Sequence, residues 1–344
     1  MHIHHINCAC MKPLGGAFYD GFSKGLTAKL ACHCLAIETN DGIVMVDTGV
    51  GMQDVAQPER ISGFFRKLNR IQLHPRNTAL YQLEQLGFKP SDVRHVVMTH
   101  LDFDHAGGIA DFPEATVHVM LAEIDAARTM EGFIANRRYR PDQWGHVKKW
   151  EFYPMDGEAW RGLSAVRNLR GLPPEIMYVP LAGHTPGHAG VAVQTPEGYV
   201  LDAGDAYFYR GEMEAEYKCT PGLRFYQWMM ETDRAMRLAN QQRLRDYARK
   251  YTDTTIFAAH DVIEFEALAK ASMPVPGSIA DLRRITADEG AWQKEIPVRH
   301  QIREGVYITD PGAAPMGTDQ EAGGAITTPN GDRKYDGFLN ETRH

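Results

Sequence analysis

Four side chains able to hold a metal ion stand within six positions of one another in the run His100-Leu101-Asp102-Phe103-Asp104-His105-Ala106-Gly107-Gly108. Imidazole and carboxylate are the ligands through which zinc, manganese or iron activates water near neutral pH. The closing Ala-Gly-Gly lets another backbone approach closely. Upstream, Val96-Val97-Met98-Thr99 reads as a buried strand, so the cluster begins where a strand stops and a loop opens. A rigid sheet would then hold the ligands in place.

Three further strand ends deliver residues of the same kind. His184 and His188 stand in Gly183-His184-Thr185-Pro186-Gly187-His188, Asp205 in Gly204-Asp205-Ala206, and His260 with Asp261 follows Ile256-Phe257-Ala258-Ala259. Together with the first cluster this gives seven candidate ligands: His100, Asp102, Asp104, His105, His184, Asp205 and His260. That is enough for two ions that share one carboxylate and one solvent oxygen. A further polar turn, Asp47-Thr48-Gly49, closes the run Gly42-Ile43-Val44-Met45-Val46.

The elements that must position these groups follow from the apolar pattern. Ala31 to Asp47 reads as two strands joined at Asn40-Asp41-Gly42, a strong hairpin signal. Met52 to Pro75 reads as loop-rich, and a short helix is expected from Asn77 to Gly87. Beyond it come a strand at Thr116–Met120 and a helix at Ala122–Arg128, then strands at Met177–Pro180, Gly190–Gln194 and Tyr199–Leu201. Glu231–Tyr251 has the spacing of an amphipathic helix. Alternating strands and helices argue for a layered α/β architecture. Residues 130–175 are rich in aromatics and read as an insertion, either packed upon itself or forming a substrate-facing wall. A hydrolase-sized domain is expected over 1–273, with a C-terminal extension over 274–344 that becomes irregular towards its end.

Composition removes several function classes. A formal net charge of −7 over 344 residues argues against a sequence-independent grip on nucleic acid, which depends on Lys and Arg neutralising phosphates. No stretch has the length and apolarity of a membrane span, and the N-terminus lacks a signal-peptide pattern, so a cytoplasmic protein acting on a small molecule is expected. A homodimer is compatible with the sequence. The five cysteines are expected as thiols; Cys8 with Cys10 and Cys32 with Cys34 each fall on one face of a strand, where cysteine packs as a small hydrophobe.

In this order the motifs resemble those of the metallo-β-lactamase superfamily, over about Cys32 to Asp261. The resemblance implies an αββα sandwich with a dinuclear metal site at the sheet edge. It puts His100, Asp102 and His184 on one metal, Asp104, His105 and His260 on the other, and Asp205 between them. Asp47 would stand behind the ligands, His188 would support its loop, and Asp261 would neighbour the last ligand. Asp102 occupies the place usually held by the second histidine of the His-x-His-x-Asp-His motif. The extra negative charge makes bound water less acidic and lets Mn or Fe compete better with Zn.

The resemblance further implies a hydrolase in which a metal-bound hydroxide attacks a carbonyl while Asp104 passes a proton to the leaving group. The Ala-Gly-Gly that follows the histidines looks most like the lactonase branch, whose substrates are lactones and related small carboxylic esters. Lactonases of that branch carry a tyrosine just after the bridging aspartate, and Tyr207 is the nearest match. Phe64 and Phe65 fall where a substrate-covering flap is common. Thioesterase, β-lactamase and phosphotriesterase activities stay open. So does an iron-dependent oxidoreductase or a non-hydrolytic metal-binding role, because diiron members also place a carboxylate at the position of Asp102.

Overall fold

The computed structural model describes residues 1–272 together with the short strands at 301–303 and 306–308. Among these, two six-stranded sheets carry the fold. The first runs in chain order through β1 (Ile3–Met11), β2 (Leu30–Thr39), β3 (Gly42–Val46), β4 (Val93–Val97), β5 (Thr116–Met120) and β6 (Trp150–Tyr153). Its first three strands are antiparallel and its last four are parallel. The second takes β7 (Glu158–Trp160), β8 (Leu163–Asn168), β9 (Ile176–Pro180), β10 (Ala189–Thr195), β11 (Gly198–Asp202) and β12 (Thr254–Phe257), antiparallel but for the parallel pair β11 and β12. The hairpin of β13 (Gln301–Arg303) and β14 (Val306–Ile308) pairs antiparallel within itself.

The β-branched and aliphatic residues on the facing sides of the sheets explain why they stack. Leu35, Ile37, Val44, Val46 and Val97 from the first meet Tyr178, Val191, Val193 and Phe257 from the second, all fully buried. Cutting Ile37 to alanine here would cost about 2–5 kcal/mol, a large part of a domain's usual margin of about 5–15 kcal/mol. On the outer side of the second sheet, Leu244 and Tyr247 of the helix Arg234–Lys250 cover Val179, Ala192 and Leu201. Outside the first, Gln82 of the helix Ala79–Gln85 exchanges hydrogen bonds with the backbone of Asn7, where β1 bulges. The arrangement is an αββα sandwich.

The expected hairpin at Asn40-Asp41-Gly42 forms as β2 and β3. Two expectations need correction. Met52 to Pro75 holds the helices Met52–Ala56 and Gly63–Asn69; they are too short for a visible period, and Ser62 caps the second by accepting from the Phe65 amide. Residues 150–168 are not an insertion, because they supply β6, β7 and β8 at the sheet edges. What remains of it is a pair of short helices, Gly132–Arg138 and Pro141–Trp144. The extension over 274–344 lies outside the described residues apart from the hairpin.

Buried histidines link the fold to pH. His5 contacts His33 at 2.7 Å, and His118 is held between His95 at 2.9 Å and the Tyr153 hydroxyl at 2.8 Å. Burial, helped by nearby His4, lowers the His5 pKa from 6.5 to about 4, and burial with His95 lowers that of His118 to about 3. As pH falls the unfolded chain takes up these protons first, so stability present above pH about 6.5 is lost down to about 4 and on towards 3. His118→Gln, which cannot take up a proton, should therefore flatten the acid limb of the Tm-against-pH curve. An unchanged limb in thermal unfolding from pH 7 to 3.5 would remove His118 as a cause.

Candidate metal centre

Every metal-competent motif falls at one edge of the sandwich. β3 ends at Asp47, β4 leads to His100, β9 leads to His184, β11 leads to Asp205 and β12 leads to His260. Asp102 opens the short helix Phe103–Ala106, which carries Asp104 and His105. The loops are locked by close backbone contact. Thr48 gives its amide to the His105 carbonyl at 2.9 Å, and a Cβ on Gly107 would lie 2.2 Å from the Asp54 carboxylate. Tyr178 reaches from β9 across the core, placing its hydroxyl 2.9 Å from the carbonyls of Met98 and His118, just before the His100 loop.

Support residues fix which nitrogen His100, His105 and His260 present. His105 donates from Nδ1 to Asp47 Oδ2 at 2.6 Å, and His260 from Nδ1 to the Ala31 carbonyl at 2.6 Å. His100 donates from Nδ1 to Thr99 Oγ1 at 2.9 Å, and that hydroxyl donates in turn to Asp47 at 2.6 Å. Asp47 adopts a left-handed backbone (φ 54°), tolerated by Asp, and also accepts the Thr99 amide. The Nε2 atoms therefore converge. His188 donates to the Leu181 carbonyl and accepts the Asp205 amide at 2.9 Å, which aims the Asp205 carboxylate.

The converging atoms form two groups. In the first, Asp102 Oδ2 lies 3.5 Å from His100 Nε2 and 3.2 Å from His184 Nε2, and Asp205 Oδ2 lies 3.7 and 3.3 Å from the same nitrogens. In the second, Asp205 Oδ1 lies 3.5 Å from His105 Nε2 and 3.1 Å from His260 Nε2, which is 3.7 Å from Asp104 Oδ2. A tetrahedral ion with bonds of about 2.0–2.2 Å has ligand-to-ligand edges of about 3.3–3.6 Å, so the first group and the trio His105, Asp205 and His260 fit a divalent metal, with Asp104 joined to the trio through His260. The buried atoms His100 Nε2, His105 Nε2 and Asp205 Oδ1 have no hydrogen-bond partner, as metal-facing atoms should. Asp205 reaches both groups, Oδ2 towards His100 and His184 and Oδ1 towards His105, with His260 Nε2 at 3.1 Å from Oδ1 and 3.2 Å from Oδ2.

The side chains partly balance one another's charge. Burial alone would raise the Asp102 carboxyl, but Arg138, with His100 and His184, holds it well below the usual range. Burial opposes a charged His105, yet Asp205 and Asp47 outweigh it and hold that ring well above the usual imidazole value. Asp104 moves up, through burial and the carboxylates of Asp205 and Asp102.

Several participants carried no sequence signal. Arg138 binds Asp102 with two parallel hydrogen bonds of 2.6 Å. Glu123, buried on the helix Leu121–Thr129, accepts the Leu101 amide at 2.9 Å and the Gly187 amide at 3.1 Å, and so ties two ligand loops together. A Cβ on Gly187 would sit 2.1 Å from the Glu123 nitrogen, which accounts for that glycine. Cys32 places its sulfur 3.9 Å from Asp104 Oδ2, and burial pushes its thiol well up.

Two expected roles change. Tyr207 is fully buried with its hydroxyl donating to Glu264 at 3.0 Å, so it packs and does not serve as an oxyanion donor. The next residue, Phe208, has its ring 5.6 Å from that of His184 and 4.9 Å from that of His260. Phe65 is also fully buried, stacked on Phe103 at 4.8 Å, and props the ligand helix; Phe64 is half-buried against Phe65 and Phe133. Asp261 caps the helix Val262–Ser272 through the amides of Ile263 and Glu264 and binds Arg210.

With that geometry in place, the sequence pattern of the Metallo-beta-lactamase superfamily matches residues 28–260. The chain belongs to this superfamily. It is 40% identical over 260 residues to a probable metallo-hydrolase of Mycobacterium tuberculosis, covering 75% of this chain and 80% of that one. It is 26% identical over 248 residues to an N-acyl homoserine lactonase of Bacillus cereus, covering 69% and 84% of the two chains. Among solved structures, an N-acyl homoserine lactone hydrolase with N-hexanoyl-L-homoserine at its catalytic metal center superposes with a TM-score of 0.59 at 22% identity, covering 78% of this chain and 97% of that one. This member of the superfamily is a metallo-hydrolase, and superfamily members bind divalent metals. No helix among the described residues is long and apolar enough to cross a membrane.

Asp47 offers a direct test of the support beneath the ligands. Asp47→Ala should weaken metal binding about 10–100-fold by releasing His105 and Thr99. Competition with a chelating dye checks this, and an unchanged dissociation constant would show that the ligands hold their orientation without it.

Proposed function

We propose that this chain hydrolyses a lactone or another small carboxylic ester, with a lactone bearing an apolar acyl chain as the best candidate. The observation that carries this reading is the Tyr226 hydroxyl. Tyr226, on the helix Pro221–Met230, is nearly buried with its ring 5.8 Å from Phe208. Burial and the nearby carboxylates of Asp104, Asp102 and Asp205 push its pKa well up, so it is a neutral donor at any working pH. Asn69 donates from Nδ2 to its oxygen at 2.9 Å, leaving the phenolic hydrogen for another acceptor. A neutral donor beside a dinuclear ligand set suits an acyl carbonyl that gathers negative charge.

His100, Asp102 and His184, with Asp104, His105 and His260, would hold two divalent ions bridged by Asp205. The ions would supply an activated water and polarise the carbonyl. Tyr226 would orient the carbonyl and stabilise its oxygen. Asp104, whose carboxyl is raised by burial, would hold the water's proton and pass it to the leaving alcohol. Phe208, whose ring lies against those of His184 and His260, and the half-buried Phe64 belong to an apolar cluster that would face an acyl chain and keep bulk water away. The names of the lactonase relatives lend the substrate class further support.

The decisive assay sets N-acyl homoserine lactones against thioesters, β-lactams and phosphotriesters. Lactones should turn over best, and Tyr226→Phe should lower kcat about 100-fold with little change in KM. Tyr207→Phe should leave kcat near the natural value. Bound iron with redox activity and no hydrolysis across the panel would overturn the reading in favour of an oxidoreductase.

A further inference from the structure

Arg138 stands where an ion's positive charge is expected. The side chain is 1% exposed and ends the helix Gly132–Arg138. Nε donates to Asp102 Oδ1 and Nη2 to Asp102 Oδ2, both at 2.6 Å. Nη2 also lies 2.7 Å from His184 Nε2, while Nη1 donates to the carbonyls of Met230 at 2.7 Å and His184 at 3.3 Å. An antiparallel bridge between Asp102 and Tyr139 holds the neighbouring backbone against the ligand loop.

Asp102 Oδ2 and His184 Nε2 belong to the first ligand group. A neutral imidazole nitrogen has one in-plane lone pair, so His184 Nε2 either accepts from Arg138 or ligates an ion. The guanidinium keeps its charge at any working pH and repels a dication entering beside it. The second group differs. Among the described residues no guanidinium pairs with its ligand atoms, and the Asp47 carboxylate stands behind His105.

We propose that Arg138 acts as a resident cation in the first ligand group and makes the two groups unequal. The second group then loads at the lower metal concentration, and the first loads only when Arg138 releases His184. Asp102 belongs to the same device, since its two oxygens match the guanidinium fork, whereas a histidine there would leave a buried charge unpaired. The proposal rests on the two-group reading of the centre and not on lactone hydrolysis.

The test titrates Zn2+ into the metal-stripped full-length chain by calorimetry, with the bound ratio checked by elemental mass spectrometry. Two steps differing at least about tenfold in Kd are expected, on the scale by which residues behind metal ligands change affinity. Arg138→Met should tighten the weaker step at least about tenfold and bring the two together. Should that variant fail to fold, Asp102→His/Arg138→Met removes both charges at once and should show two tight steps. Equal steps in the natural chain, or a weaker step unchanged in a folded variant, would overturn the proposal. A chain that opens no lactone yet loads unequally would sink only the lactone reading.

Discussion

Three ligand carboxylates and four imidazoles meet at one sheet edge with almost no access to water, and each buried charge left unpaired there would cost several kcal/mol. Around them the structure supplies a partner for nearly every polar atom that does not face an ion. Asp47 serves Thr99 and His105 together, His188 serves Asp205, the Ala31 carbonyl serves His260, and Arg138 serves Asp102. Among the atoms left over, His100 Nε2, His105 Nε2 and Asp205 Oδ1 point into the two ligand groups. The centre is thus defined as much by where hydrogen bonds are made as by where they are withheld.

Such an arrangement needs loops that do not wander, and the sandwich provides them through strands that end at a common edge. Apolar packing between the sheets fixes the strand ends, and polar cross-links then fix the loops. Tyr178 spans the core to the carbonyls before His100, and Glu123 binds the His100 and His184 loops with its two oxygens. Burial raises the Glu123 carboxyl, so its place in the interior is secured by the amides of Leu101 and Gly187 that it accepts. These groups touch no ion, yet they decide the distances between those that do.

The seven ligand positions and Asp47 were legible in the sequence, because short spacing at strand ends compresses metal chemistry into motifs. The fold brings them to one edge of the sandwich, where His100, Asp102, His184 and Asp205 cluster, as do His105, Asp205 and His260. The supports were not legible. Arg138, Glu123, Tyr226 and Asn69 lie on helices whose local patterns resemble any amphipathic surface, and only the fold brings them to the centre. Tyr207 misled for the same reason. Its distance from Asp205 suggested a donor, but the strand exit turns its hydroxyl to Glu264 and brings Phe208 against the ligand rings instead. The aromatic stretch misled because edge strands such as Trp150–Tyr153, with residues half-buried, show no clean alternation.

Asp102 and Arg138 are best understood as one choice made at two positions. A carboxylate without the guanidinium would be a buried charge waiting for a metal, and a guanidinium without the carboxylate would be a buried cation beside two metal sites. Either change alone leaves an unpaired charge, at a cost of about 3–5 kcal/mol for a buried pair, which is comparable to a small domain's whole margin. The departure at position 102 therefore cannot be weighed as a single exchange of one ligand for another. Its partner lies 36 residues away in the chain, on a helix that no metal-binding motif would single out.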